Sequence, residues 1–347
     1  MLYQKENPHG GDIYGRKILL DFSANTNPLG TPPGVLAAIE EALPQLHRYP
    51  DPYCRALVQA IGDFEQVPRE RILCGSGAAE LIYAYCRSLG PVRGVELAPT
   101  FSEYADALAE AGGQMERYAL KKDRLFLPGE DFLTFLAERQ PEVLFLCNPN
   151  NPTGRTIPEE QMEKIVAFCQ ERNIRMFVDE CFLDLSDGGQ SVKRWLKEWK
   201  GLFILKAFTK SYGLAGVRLG YGLSGDEKLF ARMAGAVPPW NVSTVAQAAG
   251  VAALGEGDFL QKTRELIRQE RPRLRAGLEA LGCWVCPSQT NYLLFQASPA
   301  LGRRLERQGI ALRSCANFHG LGPGWYRTAV RTGAENAQLL EAMRKAL

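Results

Sequence analysis

Lys210 sits among residues whose types and order suit one kind of chemistry. Upstream lie Asn148-Pro149-Asn150-Asn151-Pro152-Thr153-Gly154 and Val178-Asp179-Glu180. Downstream, Arg218 falls in Gly216-Val217-Arg218-Leu219-Gly220. A lysine amine forms reversible Schiff bases with an aldehyde and exchanges them for a substrate amine. A carboxylate against a heteroaromatic nitrogen keeps it protonated, so the ring accepts electrons released at a neighbouring carbon. A guanidinium grips phosphate through several charge-assisted hydrogen bonds. Cys74-Gly75-Ser76-Gly77-Ala78-Ala79-Glu80 runs from a strand pattern through glycines into a helix, and N–H groups at such a helix start bind an anion.

Together these groups are what pyridoxal phosphate requires. Lys210 suits the aldehyde, Asp179 the pyridine nitrogen, Asn151 the ring oxygen, and Arg218 with the helix start after Gly77 the phosphate. Phe101, following Pro99-Thr100, is a candidate to stack on the pyridine face; a plain core aromatic is the competing reading.

The elements that must position these groups are legible as alternation. Short apolar runs at 72–74, 95–98, 143–147, 176–178, 203–206 and 218–222 predict strands. Helical patterns at 79–89, 102–111 and 158–172 fall between several of them, the last opened by Pro158-Glu159-Glu160. That order predicts an α/β fold with a mainly parallel sheet and helices on both faces. Asn151, Asp179 and Lys210 each follow a predicted strand, so they converge on the carboxyl edge of that sheet, where open α/β sheets bind ligands. Pro238-Pro239-Trp240-Asn241 breaks the pattern. A long helical stretch at 245–281, with an interruption near Gly255-Glu256-Gly257, precedes strand-like runs at 291–295, 311–313 and 326–330 and a closing helix at 334–345. The expected organisation is an N-terminal arm over 1–35, packed on the small domain or a dimer partner, a large cofactor-binding domain over 36–238, and a small α+β domain over 239–347.

Composition narrows the function classes. The chain has 347 residues, 46% hydrophobic and 23% charged, which reads as a globular enzyme. Lys plus Arg number 41 against 39 Asp plus Glu, so no electrostatic footprint for nucleic acid or an anionic membrane is visible. No apolar run is long enough to span a bilayer, and Met1 to Gly11 is polar, without a signal-peptide core. Nine scattered cysteines, mostly in apolar stretches, agree with a reducing, cytoplasmic location. Cys283 and Cys286 form a lone CxxC without the further ligands that a structural zinc needs, so no metal is expected.

Further motifs carry a family resemblance. They are His9-Gly10-Gly11-Asp12-Ile13, Leu20-Asp21-Phe22-Ser23-Ala24-Asn25-Thr26-Asn27-Pro28-Leu29-Gly30, Arg48-Tyr49-Pro50-Asp51, Arg313-Ser314-Cys315-Ala316-Asn317 and Tyr326-Arg327-Thr328-Ala329-Val330-Arg331. Over essentially its whole length the sequence resembles the fold-type I pyridoxal-phosphate enzymes of the aspartate aminotransferase superfamily. Within them it is similar to the histidinol-phosphate aminotransferase group, and most of all to the threonine-phosphate decarboxylases of cobalamin biosynthesis. The resemblance implies that Lys210 carries the cofactor, that Arg218 and the Ala78–Ala79 backbone hold its phosphate, and that Tyr49 reaches that phosphate from the neighbouring subunit of a homodimer. It also implies that Arg327 binds the substrate α-carboxylate and that His9, Asn25 and Arg313 form a pocket for a substrate phosphate.

Two departures stand out. Phe182 occupies a position where many relatives have a tyrosine, and Ala207 one where they have a hydroxyl; Thr209 can supply a phosphate contact instead. Arg303, Arg304 and Arg307 read as a solvated helix face, Arg331 is open between the two readings, and His47 and His319 receive no role. The reaction implied is loss of carbon dioxide from L-threonine O-3-phosphate, giving (R)-1-amino-2-propanol O-2-phosphate. The alternatives are an aminotransferase acting on histidinol phosphate or a related amino acid, and a cofactor-binding regulator. The last would need a DNA-reading domain for which no residues are left over.

Overall fold

The computed structural model describes residues 9–347. The first eight residues, part of the arm expected over 1–35 and of the polar opening stretch, lie outside the described residues. After β1 (Leu20–Asp21) come α1 (Pro33–Ala42) and α2 (Arg55–Glu65). Strands and helices then alternate: β2 (Ile72–Gly75), α3 (Ala78–Leu89), β3 (Arg93–Ala98), α4 (Glu103–Glu110), β4 (Gln114–Ala119), α5 (Phe132–Arg139), β5 (Val143–Cys147) and α6 (Glu159–Glu171). They continue through β6 (Arg175–Asp179), β7 (Leu202–Ala207), the single turn α7 (Phe208–Ser211), β8 (Gly220–Ser224) and α8 (Glu227–Gly235).

Strands β2 to β8 form one seven-stranded sheet in the order β2-β8-β7-β6-β5-β3-β4. From β4 across to β7 every neighbouring pair is parallel, and β8 is antiparallel to both its neighbours. Strands covered on both faces need apolar side chains at every position, and β5 is Val-Leu-Phe-Leu-Cys, buried throughout. Successive side chains point to opposite faces, which sorts the core. Leu144, Leu146, Met176, Val178 and Ile204 pack with Leu57 and Ile61 of α2 and Ile165 of α6. Val143, Phe145, Phe177, Phe203 and Leu205 pack with Leu81 and Tyr85 of α3 and Leu108 of α4.

The rest of the chain comprises α9 (Thr244–Gly255), α10 (Phe259–Ala280), β9 (Trp284–Val285), β10 (Tyr292–Gln296), α11 (Leu301–Glu306), β11 (Ile310–Ala311), β12 (Arg313–Ser314), β13 (Trp325–Ala329) and α12 (Gly333–Ala346). Here β12-β13-β10-β9 is an antiparallel sheet. Its core joins Leu293 and Phe295 of β10 to Leu274 of α10 and Leu339 of α12. Strand β1 pairs in parallel with β11, Leu20 opposite Ile310, which ties the segment before α1 to this sheet region.

The mainly parallel sheet with helices on both faces is as expected. The helical stretch at 245–281 divides into α9 and α10 at the interruption expected near Gly255-Glu256-Gly257. Two details differ. The strand expected at 218–222 starts at Gly220, because Arg218 takes a left-handed backbone with φ of 62°. Strand β4 is an addition: Gln-Met-Glu-Arg-Tyr-Ala lies at the sheet edge with most of its residues exposed, so it carries no apolar run.

A buried ionic cluster braces β7. Lys206 Nζ lies 2.8 Å from Glu65 Oε1 and 3.2 Å from Asp184 Oδ1. Lys193 meets Glu65 Oε2 at 2.9 Å, and the Tyr221 hydroxyl donates to Glu65 Oε1 at 2.7 Å. Burial opposes ionisation of Glu65, but Lys206, Lys193 and Tyr221 more than offset it and hold the carboxyl at about 2. A depressed carboxyl pKa stabilises the fold above the unfolded value of 4.5, and that stability is lost as pH falls toward 2. Glu65→Gln should therefore flatten the acid limb of stability between these values. It should also lower stability at neutral pH by about 2 kcal/mol, since it takes the charge from one of the two carboxylates that meet buried Lys206. Urea unfolding at a series of pH values checks both; an unchanged acid limb would remove Glu65 from the account.

Candidate active site

At the carboxyl ends of β3, β5, β6 and β7 a cavity of about 670 Å³ opens. It is lined by His9, Asn25, Ala78, Ala79, Phe101, Asn151, Asp179, Thr209, Lys210, Arg218, Arg313 and Arg327. Every residue singled out from the sequence for cofactor or substrate is therefore in one cavity, with the exception of Tyr49. Tyr49 is 79% exposed and stacks on Trp240, ring centroids 4.6 Å apart, outside the cavity of its own chain.

Asp179 closes β6 beside Cys147 of β5. Its Oδ2 accepts from the Tyr104 hydroxyl at 2.6 Å and its Oδ1 from the Cys181 N–H at 2.9 Å. Burial pushes its pKa up, and those two donors pull against it without cancelling it. Among the described residues no salt bridge neutralises Asp179. Lys210 stands on α7, one turn beyond β7. Burial, then the Arg327 and Arg218 charges, bring its amine down to about 8. The ring of Phe182 lies 5.9 Å from Lys210 Nζ, without a hydroxyl to offer.

An anion cradle faces these groups. Arg218 reaches back to the turn before α3, where a Cβ added at Gly77 would lie 2.7 Å from Arg218 Nη2. Gly77 also has a φ of 88°, so glycine is required there twice over. A Cβ at Gly220 would lie 2.9 Å from the Ala78 nitrogen. The missing side chains thus let the start of α3, the start of β8 and the Arg218 guanidinium close on one point.

The far end of the cavity is built from short strands and loops. Arg327 of β13 lies opposite Arg313 of β12. Arg327 donates through Nη1 to Asn151 Oδ1 at 2.5 Å and through Nη2 to the Ser23 carbonyl at 2.9 Å, while its buried Nε has no partner among the described residues. Arg313 donates to the Ser314 carbonyl and to Asn317 Oδ1, and its guanidinium sits 5.1 Å from the Phe318 ring centroid. Burial lowers the Arg313 pKa to about 10. His9 Nε2 meets Glu103 Oε1 at 2.9 Å, and the His9 ring lies 5.9 Å from that of Phe101. Asn25 is 1% exposed, and among the described residues neither atom of its amide has a partner. Buried amides are ordinarily satisfied, so a cavity wall with two open valences fits a ligand-binding surface.

Arg331 lies outside the cavity. Its Nε and Nη2 meet Glu335 Oε1 at 2.8 and 2.6 Å and its Nη1 the Asp21 carbonyl at 3.1 Å, so it braces the start of α12. Sequence reasoning passed over Tyr104, which no motif announces, and His319, which lines the cavity. It also passed over Glu96, a carboxylate inside an apolar strand run. Glu96 Oε1 accepts from Arg117 Nε at 2.8 Å, its Oε2 has no partner among the described residues, and burial raises its pKa to about 7.

Comparison with known proteins gives these groups a context. A family model described as aminotransferase class I and II matches residues 17–345. The chain is 37% identical to a threonine-phosphate decarboxylase of Salmonella typhimurium, covering 98% of this chain and 96% of that protein. It is 34% identical to a histidinol-phosphate aminotransferase of Anaeromyxobacter sp., over 96% and 92% of the two chains. A solved histidinol-phosphate aminotransferase from Sinorhizobium meliloti, in complex with pyridoxal-5'-phosphate, superimposes with a TM-score of 0.82 at 25% identity, covering 96% of this chain and 93% of that one.

The depressed amine is directly testable. Competitive acylation of Lys210 in protein stripped of bound small molecules, followed by peptide mass spectrometry, should give a midpoint near 8 rather than the ordinary 10.5. Arg327→Met should move that midpoint upward, because a neighbouring like charge is removed. A midpoint unchanged by this substitution would remove Arg327 from the account and leave the shift to burial and Arg218.

Proposed function

The chain belongs to the class I and II aminotransferases, and from that membership we propose that it is a pyridoxal-phosphate-dependent decarboxylase of L-threonine O-3-phosphate. The product is (R)-1-amino-2-propanol O-2-phosphate, an intermediate of cobalamin synthesis. The observation that carries this reading is the far end of the cavity, where Arg313, Arg327, His9 and the open amide of Asn25 face one space. That set suits a small substrate carrying both a carboxylate and a phosphate. The identity to the Salmonella typhimurium protein supports it.

The residues present fit the cofactor. A buried carboxylate without a cation, Asp179, calls for a protonated ring nitrogen beside it. The cradle of Gly77, Ala78 and Arg218 fits a phosphate. Asn151 is a donor for the ring oxygen, and Thr209 a further hydroxyl near the phosphate. When bound, pyridoxal phosphate supplies an aldehyde for the substrate amine and a ring that accepts the electrons of the bond broken at the α-carbon.

This chain's own residues do the rest. With a pKa of about 8, roughly a tenth of Lys210 is neutral at pH 7, against well under a thousandth for an ordinary lysine. Its amine, when free, would hold a proton for the α-carbon. Arg327 receives the α-carboxylate, and Arg313, His9 and Asn25 receive the phosphate. Binding energy from that remote phosphate would fix how the α-carbon is presented to the cofactor, and so which of its bonds is broken. Exposed Leu36, Leu43, Leu46, Tyr49 and Tyr53, close in sequence, together with Trp240, support a homodimer in which Tyr49 serves the partner's phosphate cradle.

A second reading is an aminotransferase acting on histidinol phosphate, favoured by the Anaeromyxobacter relative. The two separate on products. Protein loaded with pyridoxal phosphate and given L-threonine O-3-phosphate should release carbon dioxide without any 2-oxo acid. Glutamate formed from 2-oxoglutarate, without carbon dioxide, would overturn the decarboxylase. Arg313→Ala should raise KM for the phosphorylated substrate about tenfold or more, and far less for unphosphorylated threonine. Equal effects would remove Arg313 from the phosphate pocket.

A further inference from the structure

Lys210 stands on a single helical turn, and one turn has too few backbone bonds to fix a side chain by itself. What holds that turn lies behind it. Ser211, the next residue, is 1% exposed and is gripped twice. Its carbonyl accepts from Asn27 Nδ2 at 2.7 Å, and its hydroxyl donates to Asp184 Oδ2 at 3.1 Å. Asn27 Nδ2 also donates to Thr263 Oγ1 of α10 at 2.9 Å, while Asn27 Oδ1 accepts from the Leu29 N–H at 2.8 Å. The second oxygen of Asp184 is anchored on Lys206, 3.2 Å away. Asn27 and Thr263 are both buried.

We propose that Asn27 and Asp184 are positioning residues for Lys210, acting through Ser211. One holds the backbone of the turn and the other a side chain on it, and they come from different parts of the fold. Asn27 belongs to the segment before α1 and takes its orientation from α10. Asp184 follows β6 in the stretch that begins at Asp179, so the carboxylate and the amine of the cavity share a support. A reacting amine must be held to a fraction of an ångström. Hydrogen bonds on both sides of Ser211 supply that constraint where the helix cannot. Loosening them lets the amine nitrogen drift away from the Arg327 and Arg218 charges that hold its protonation down.

This rests on Lys210 being the residue that carries the cofactor, and the test is chosen to need no substrate. The absorbance of the pyridoxal-phosphate-loaded enzyme is titrated against pH for the parent, Ser211→Ala, Thr263→Val and Lys193→Ala. Ser211→Ala removes the Asp184 bond alone. Thr263→Val is nearly isosteric, lies outside the cavity and removes one of the bonds that orient the Asn27 amide. Both should raise the midpoint by about half a unit or more, and lower kcat severalfold while KM changes by less than about twofold. Lys193→Ala removes an ion pair to Glu65 in the same cluster but touches neither Asn27 nor Ser211, and should leave the midpoint in place. Midpoints of Ser211→Ala and Thr263→Val that superimpose on the parent would overturn the proposal, as would an equal shift in Lys193→Ala. Transamination in place of decarboxylation would leave the absorbance result standing. A parent with no absorbance from lysine-bound cofactor would overturn both readings together.

Discussion

An amine and a carboxylate, Lys210 and Asp179, are buried in one cavity without a salt bridge between them. Two ionisable groups at such depth would ordinarily pair, and pairing would hold both in their charged forms. Here Asp179 is turned instead toward Tyr104 and the Cys181 N–H, and Lys210 faces cations that depress it. Each is left in a state that a bound partner relieves: the carboxylate by a cation, the amine by a carbonyl carbon. Keeping them apart is a constraint on the backbone, because the two strands that deliver them, β6 and β7, are hydrogen-bonded neighbours.

The period-two geometry of β7 meets that constraint. Ala207 turns to the cavity while Lys206 turns to the opposite face. There Lys206 gathers Glu65 and Asp184 into an ionic cluster that also reaches Ser211. The strand thus presents an unpaired chemistry on one side and a fully paired anchor on the other. A buried ion cluster is weak evidence for net stability. Its worth here is geometric, since it fixes the register of the chain segment from which Lys210 projects.

The central elements were legible in the sequence because strands buried on both faces must read as apolar runs, and Val143–Cys147 does. The meeting of Asn151, Asp179 and Lys210 in one cavity was legible because each follows such a run. Strand β4 was not, since an edge strand is free to be Gln-Met-Glu-Arg-Tyr-Ala and shows no period. Nor was the role of Arg331, whose type suits an anion but whose neighbours in the fold, Glu335 and the Asp21 carbonyl, absorb it. Tyr104 escaped because its function depends on an oxygen in Asp179, distant in sequence, and no local pattern encodes that meeting. The backbone shape of Arg218 escaped as well; a left-handed arginine is rare enough that a strand was the better expectation.

Arg313 and Arg327 bring the smaller sheet into the cavity. They lie directly opposite each other on antiparallel strands, a position where like charges repel. Burial, first, and the neighbouring charge together depress Arg313 to about 10. Carbonyls and amides of Ser314, Asn317, Asn151 and Ser23 accept from the two guanidinium groups. On the function proposed above, a substrate with two separate negative groups brings one charge to each arginine, so the large sheet bears on the cofactor and two short strands bear on the choice of substrate.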